Sequence, residues 1–115
     1  MSETIRAYEP SRQFLNCHIA GFSHWDAVEV FDELHVGAPL ELRPEPNNPY
    51  DPNAIAVWFN GAKIGFVPRT HNAELAQLMF FGYGDIFSAR IAQVDPQAHP
   101  ERQARMAVFL KDARK

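Results

Sequence analysis

The chain has one cysteine, Cys17, among 115 residues, so it can form neither an internal disulfide nor a zinc site built from cysteines alone. It has no long apolar run. Stretches such as Ile55-Ala56-Val57-Trp58-Phe59 fall far short of the roughly 20 residues a membrane-spanning helix takes. Residues 1–10 do not read as a secretory signal, because Glu3, Arg6 and Glu9 interrupt any apolar region. Positive charge is not in excess either: 11 Lys and Arg stand against 14 Asp and Glu, a net charge of −3. Together these absences predict a soluble, cytoplasmic, single-domain protein without a membrane role. The hydrophobic fraction of 46% is enough to build a core.

The charges are unevenly spread. Residues 25–51 hold seven acids (Asp26, Glu29, Asp32, Glu33, Glu41, Glu45, Asp51) and one base, Arg43, whereas residues 52–115 hold eight bases against five acids. A strong non-specific grip on duplex phosphate is disfavoured, because that affinity comes from many cations releasing counterions. A small local basic groove remains compatible with the pattern.

Catalytic constellations are missing as well. No GxxxxGK[ST] phosphate loop, GxSxG elbow or HExxH pair occurs. The five histidines (His18, His24, His35, His71, His99) include no pair at helical ligand spacing, and Cys17 and His18 point to opposite faces of a predicted strand. No catalytic residues, no metal and no cofactor are expected.

Residues 14–22 alternate as a strand, with Leu15, Cys17 and Ile19 on one face. Residues 28–34 have room for one or two helical turns, stopped by Gly37, and residues 40–43 form a short strand. Asn60-Gly61 between two apolar runs is the favoured two-residue turn of a tight hairpin. A regular register pairs Phe59 with Ala62, Val57 with Ile64 and Ile55 with Phe66 on a core face. On the other face it pairs Trp58 with Lys63, Ala56 with Gly65 and Ala54 with Val67, a shallow shelf that a ligand or another backbone can approach. Gly65 equally fits the close approach of a neighbouring strand, or a bulge. Thr70 or Asn72 can cap a helix reaching about Phe81, ended by Gly82 and Gly84, with Leu75, Ala76, Leu78 and Met79 facing the core. Strands at 86–94 and 104–111 follow, joined by a loop holding Pro96 and Pro100. The expected fold is mainly β with one or two short helices, a small OB-like β-barrel, in one domain over residues 1–115 with frayed ends.

Five of the nine prolines fall between 39 and 52, and Pro49 and Pro52 clamp Tyr50-Asp51 on a loop of low entropy. An exposed aromatic beside a carboxylate suits recognition of a ring next to a hydroxyl: the ring stacks and the carboxylate accepts the O–H. Alternatively, Tyr50 closes the bottom of the barrel and Asp51 caps the loop through the amide of Asn53, and the spacing alone favours this turn.

The block Glu45-Pro46-Asn47-Asn48-Pro49-Tyr50-Asp51-Pro52-Asn53-Ala54-Ile55, followed by Gly61 and then Ile64-Gly65-Phe66-Val67-Pro68-Arg69, resembles a HIRAN domain over about residues 15–95. The family occurs at the amino terminus of helicase-like SWI/SNF-type remodellers and as stand-alone bacterial proteins. The resemblance implies a modified OB-type barrel that captures the free 3′-hydroxyl end of single-stranded DNA in repair or replication-fork processing, with a protein partner such as a helicase or nuclease. It implies that Tyr50 stacks on the terminal base, Asp51 accepts from the 3′ hydroxyl and Arg69 contacts the nucleotide or its phosphate. Where DNA-binding members carry an Arg-Tyr pair, this chain has Ser23-His24-Trp25. His24 or Trp25 would then stack, Lys63 would join Arg69 at phosphate, and binding is expected to be weaker and more salt-sensitive. The competing reading is a protein-interaction module on the same barrel, using the acidic stretch 26–45 or the shelf at Trp58.

Overall fold

Alternating apolar residues and tight turns produce a sheet of six antiparallel strands in the computed structural model, which describes residues 11–22 and 25–111. The strands are β1 (Ser11–His18), β2 (Pro39–Pro44), β3 (Ile55–Phe59), β4 (Ala62–Phe66), β5 (Phe87–Val94) and β6 (Ala104–Lys111). A one-turn helix α1 (Ala27–Val30) continues into a 3-10 turn at 31–33, and α2 (Arg69–Phe80) follows β4. The sheet order is β1-β6-β5-β2-β3-β4.

β2 pairs with β5 through Pro39 and Leu40, then with β3 through Glu41–Pro44, so one strand passes between the two halves of the sheet. The chain beyond β1 returns to β4, where the Ala20 amide donates to the Phe66 carbonyl at 2.8 Å and the Phe66 amide to that of Ala20 at 2.9 Å. These bonds curl the sheet into a half-barrel around Ile19, Phe22, Ile55, Val57, Ile64, Leu75, Ile91, Met106 and Val108, all essentially buried. The mainly-β, OB-like architecture expected from the sequence is what forms. No helix among the described residues is long and apolar enough to cross a membrane.

The Asn60-Gly61 turn has positive φ at both residues (49° and 86°), as a turn matching the right-handed strand twist requires. Phe59 faces Ala62 and Trp58 faces Lys63 as expected, but Val57 then faces Gly65 and Ala56 faces Phe66. Ile64 is an extra residue, a β-bulge that corrects the regular register and reverses the facing of everything after it. Phe66 therefore leaves the core face, and Val67, 2% exposed, joins the core. The close approach at Gly65 is the chain's own: a Cβ there would lie 2.5 Å from the Ala20 carbonyl oxygen. On the outer face, the Trp58 shelf is covered by the Arg43 guanidinium, 4.1 Å from the ring centre and paired with Glu41 at 2.8 Å.

α2 starts at Arg69 after Pro68, with no side-chain cap, so neither Thr70 nor Asn72 has the capping role expected. Pro68 holds the extended backbone conformation that precedes the helix (φ −57°, ψ 145°).

Candidate nucleic-acid interface

The loop from 45 to 54 is closed at its base by the Glu45 amide donating to the Ala54 carbonyl at 2.8 Å. Inside it, the Asn48 Oδ1 accepts from the amides of Tyr50 (2.8 Å) and Asp51 (3.2 Å). The Asn53 amide donates to Asp51 Oδ1 at 2.9 Å, which is the turn expected from the Asp-Pro-Asn spacing. Tyr50 does not close the barrel. With both flanking prolines fixing the chain direction, its ring projects outward, 83% exposed.

The other Asp51 oxygen is held by α2. Asn72 Nδ2 donates to Asp51 Oδ2 at 2.9 Å, and Arg69 Nε lies 3.7 Å from the same oxygen. Arg69 Nη2 also donates to the Tyr50 carbonyl at 2.9 Å. Donation by Asn72, then by the Asn53 amide, with the Arg69 charge adding, holds the Asp51 carboxyl below its ordinary range against some desolvation. Asp51 is thus an ionised acceptor with each oxygen holding one bond and having lone-pair capacity left for a ligand donor.

These residues surround a cavity of about 230 Å3 lined by Ala20, Gly21, Asn48, Tyr50, Asp51, Ala54, Phe66, Val67, Arg69 and Asn72. The volume falls below that of drug-sized pockets and suits one sugar or one ring. Its floor is apolar and its polar groups converge from the loop and α2. The bulge at Ile64 is what turns Phe66 toward this cavity.

Of the residues expected at the site, the fold brings Tyr50, Asp51 and Arg69 together. Trp25, 42% exposed, packs edge-on to Phe66 at 5.6 Å and flanks the cavity beyond it. Lys63 sits behind this wall. Its ammonium is 4.1 Å from the Trp25 ring centre and 4.4 Å from that of Phe66, and it donates to Glu45 Oε2 at 2.8 Å. Its charge is compensated within the protein. His24 lies outside the described residues. Cys17 is buried, which pushes its thiol up to about 11, and no group of three His, Cys, Asp or Glu among the described residues could hold a metal ion.

Three contributors escaped the sequence reading. Asn72 is 3% exposed and falls in register with Leu75, Ala76 and Met79. A carboxamide on a core-facing stripe signals a buried partner, and that signal was available. Asn48 and Glu45 had no comparable signature. Glu45 joins Lys63 to Asn48, whose Nδ2 donates to Glu45 Oε1 at 3.1 Å, so hairpin and loop are tied together. Partial burial opposes ionisation of Glu45, but Lys63 and Asn48 together hold its carboxyl below the usual range.

Comparison with known proteins places this geometry. Residues 13–111 match the HIRAN domain family. The helicase-like transcription factor of rabbit (Oryctolagus cuniculus) is 36% identical over 66 residues, which are 56% of this chain and 6% of that much longer protein. The crystal structure of a protein from Lactobacillus plantarum superposes with a TM-score of 0.74 at 25% identity, covering 89% of this chain and 96% of that one. The HIRAN domain of human HLTF shares the fold with a TM-score of 0.60 at 22% identity, covering 90% of this chain and 82% of the domain. Matched over residues 13–111, nearly its whole described length, the chain belongs to the HIRAN domain family.

Proposed function

We propose that this chain is a non-enzymatic binding module for the free 3′-hydroxyl end of single-stranded DNA. The observation that carries the reading is the Tyr50-Asp51 step at the cavity mouth: an exposed ring beside an ionised carboxylate fixed by Asn53, Asn72 and Arg69. The terminal base stacks on Tyr50, with Trp25 and His24 as further stacking candidates. Asp51 accepts from the 3′ hydroxyl and repels a terminal phosphate. Arg69 supplies the local positive charge for the preceding phosphate. Such a module would act where 3′ ends are exposed in repair or at replication forks, brought there by a partner such as a helicase or nuclease.

The test is fluorescence-anisotropy titration with short single strands ending in a 3′ hydroxyl or a 3′ phosphate. Preference for the hydroxyl end, lost in Asp51→Asn, is the expected result. Equal affinity for both ends would reduce Asp51 to a loop-building residue, and no binding at low salt would leave a protein-interaction module on this fold.

A further inference from the structure

β1, β5 and β6 together hold no Asp or Glu. Their register sets Gln93, Arg105 and His18 in one row across the three strands and Arg90, Ala107 and Asn16 in the next. Met106 and Val108, which alternate with these positions on β6, are buried in the core, so both rows lie on the outer face of the sheet. Arg90 is exposed, and its guanidinium lies over Phe109, 4.7 Å from the ring centre. Arg43, Lys63 and Arg69 each stand beside a carboxylate, Glu41, Glu45 and Asp51 in turn. Arg90 and Arg105, by contrast, form no ion pair among the described residues.

Neutral groups hold Arg105 in place. Its Nε donates to Asn16 Oδ1 at 3.0 Å, its Nη2 to the Asn16 carbonyl at 3.2 Å, and its Nη1 lies 3.2 Å from His18 Nδ1. Desolvation, then the charges of Arg105 and Arg102, hold the His18 pKa below its ordinary value, so the ring meets Arg105 as a neutral acceptor. Three of the five guanidinium N–H groups are used, and two remain together with an uncompensated charge. A planar fork aimed by uncharged partners suits the oxygens of a phosphate, which accept two such bonds side by side. The face also runs on into the end-binding cavity. The amides of Ile19 and Ala20 donate to opposite neighbours, the carbonyls of Ala104 and Phe66, as extended chain does. His18 and Ala20 therefore project to one side, about 7 Å apart at their Cα atoms, and Ala20 lines the cavity. Arg105 stands across from His18, about 5 Å further on.

We propose that Arg105 seats a phosphate of the same single strand whose 3′ end is held at Tyr50 and Asp51, an inference that rests on that reading of the cavity. The strand leaves the cavity over Ala20, passes His18 and reaches the guanidinium. That path of roughly 12 Å takes three or four stacked nucleotides at about 3.4 Å each, and fewer in a stretched strand. Continuity with the cavity selects a strand over an acidic protein surface, because each nucleotide beyond the end carries its own phosphate onto this one face. Arg90 and Arg102 add to the positive potential around the fork. Arg69 and Arg105 then account for two neutralised phosphates, each contributing about 0.7 to the salt slope.

Anisotropy titration with 5′-labelled oligothymidylates of two and of eight residues, each ending in a 3′ hydroxyl, tests this. The shorter strand fills the cavity and stops before Arg105, whereas the longer one spans both. The expected result is tighter binding of the longer strand, by about five-fold at low salt, with that gain lost in Arg105→Gln. The salt slope of the longer strand should fall by about 0.7 in the variant, while the shorter strand binds as before. Gln93→Glu is the second arm and holds if Arg105→Gln fails to fold. It sets a carboxylate directly across from Arg105, a cross-strand pair that supports the sheet while occupying the fork, and it should remove the same gain. Equal affinity for the two lengths, or a gain that both variants retain, would overturn the inference, leave end capture standing and return this face to an acidic protein surface. Weakening of both lengths alike would overturn it too, since Arg105 would then act through the cavity. No binding of either strand would overturn end capture itself and this inference with it.

Discussion

At the scale of single residues, the site depends on how each charge is already engaged. Asp51 has a carboxyl held low by Asn72, the Asn53 amide and Arg69. A depressed folded value means its contribution to loop stability is fully present above the ordinary carboxylate range near pH 4 and is lost as pH falls through the lower folded value. End binding should accordingly be flat from neutral pH down to about 5 and fall only below about 4, measurable by anisotropy across that range. Asn72→Asp puts a second carboxylate against Asp51 Oδ2, which raises the carboxyl of the pair. Binding to a 3′ hydroxyl should weaken at pH 7, and the acid limb should move to higher pH. An unchanged pH profile in that variant would remove Asn72 from the site. Lys63→Met keeps the aliphatic packing on Trp25 and Phe66 but removes the ion pair of Glu45, leaving it only the Asn48 bond. The expected cost is about 1–2 kcal/mol of stability in chemical denaturation, with weaker end binding through the loosened Asn48. Because Lys63 is compensated by Glu45, the salt dependence of binding should stay as in the unaltered chain. A slope reduced by about 0.7 would instead identify Lys63 as a phosphate contact.

At the scale of elements, the bulge in β4 is the decisive irregularity. It sends Phe66 to the cavity and Val67 to the core, and it places Gly65 against the returning chain at Ile19 and Ala20. Gly65 has φ of 154°, and a Cβ there would also lie 2.6 Å from Ile19 Cγ2. Gly65→Ala must push apart the contact between the chain after β1 and β4. A loss of about 2 kcal/mol is expected, seen as a fall in Tm of roughly 10 °C in thermal unfolding. The turn at Asn60-Gly61 was legible because two adjacent residues suffice to set its φ angles. Most strand positions were legible for the same local reason. The bulge was legible only as one alternative, in Gly65, and the approach of the Ala20 backbone to β4 is what selects the shifted register. The start of α2 was misread likewise: Asn72 resembles a cap in sequence, yet its carboxamide is drawn inward by Asp51, 21 residues away.

At the scale of the whole molecule, the charge asymmetry along the sequence is partly cancelled in space. Glu41 is met by Arg43 and Glu45 by Lys63, while α1, with Glu29, packs against β4. Arg69 is the cation among the described residues that line the cavity. With one or two phosphates neutralised, the logarithm of affinity should fall against the logarithm of salt with a slope of about −1. On the proposed function, binding is expected to be weak and only mildly salt-dependent, where the sequence alone suggests a stronger salt dependence. Titration at several salt concentrations measures the slope, and a value steeper than about −3 would require a cationic path beyond the cavity.

The amino-acid sequence by itself determined the class of fold, the hairpin turn, the rigid proline loop and the pairing of Tyr50 with Asp51, because each follows from the sterics and spacing of close neighbours. It also carried the family resemblance through the same block. Only the tertiary structure decided which face Phe66 takes, that Asn72 and Arg69 converge on Asp51, and that Lys63 spends its charge on Glu45. Those contacts join residues 18 to 21 positions apart. Their geometry depends on how the sheet curls and where α2 is set down, and no local pattern in the chain specifies either.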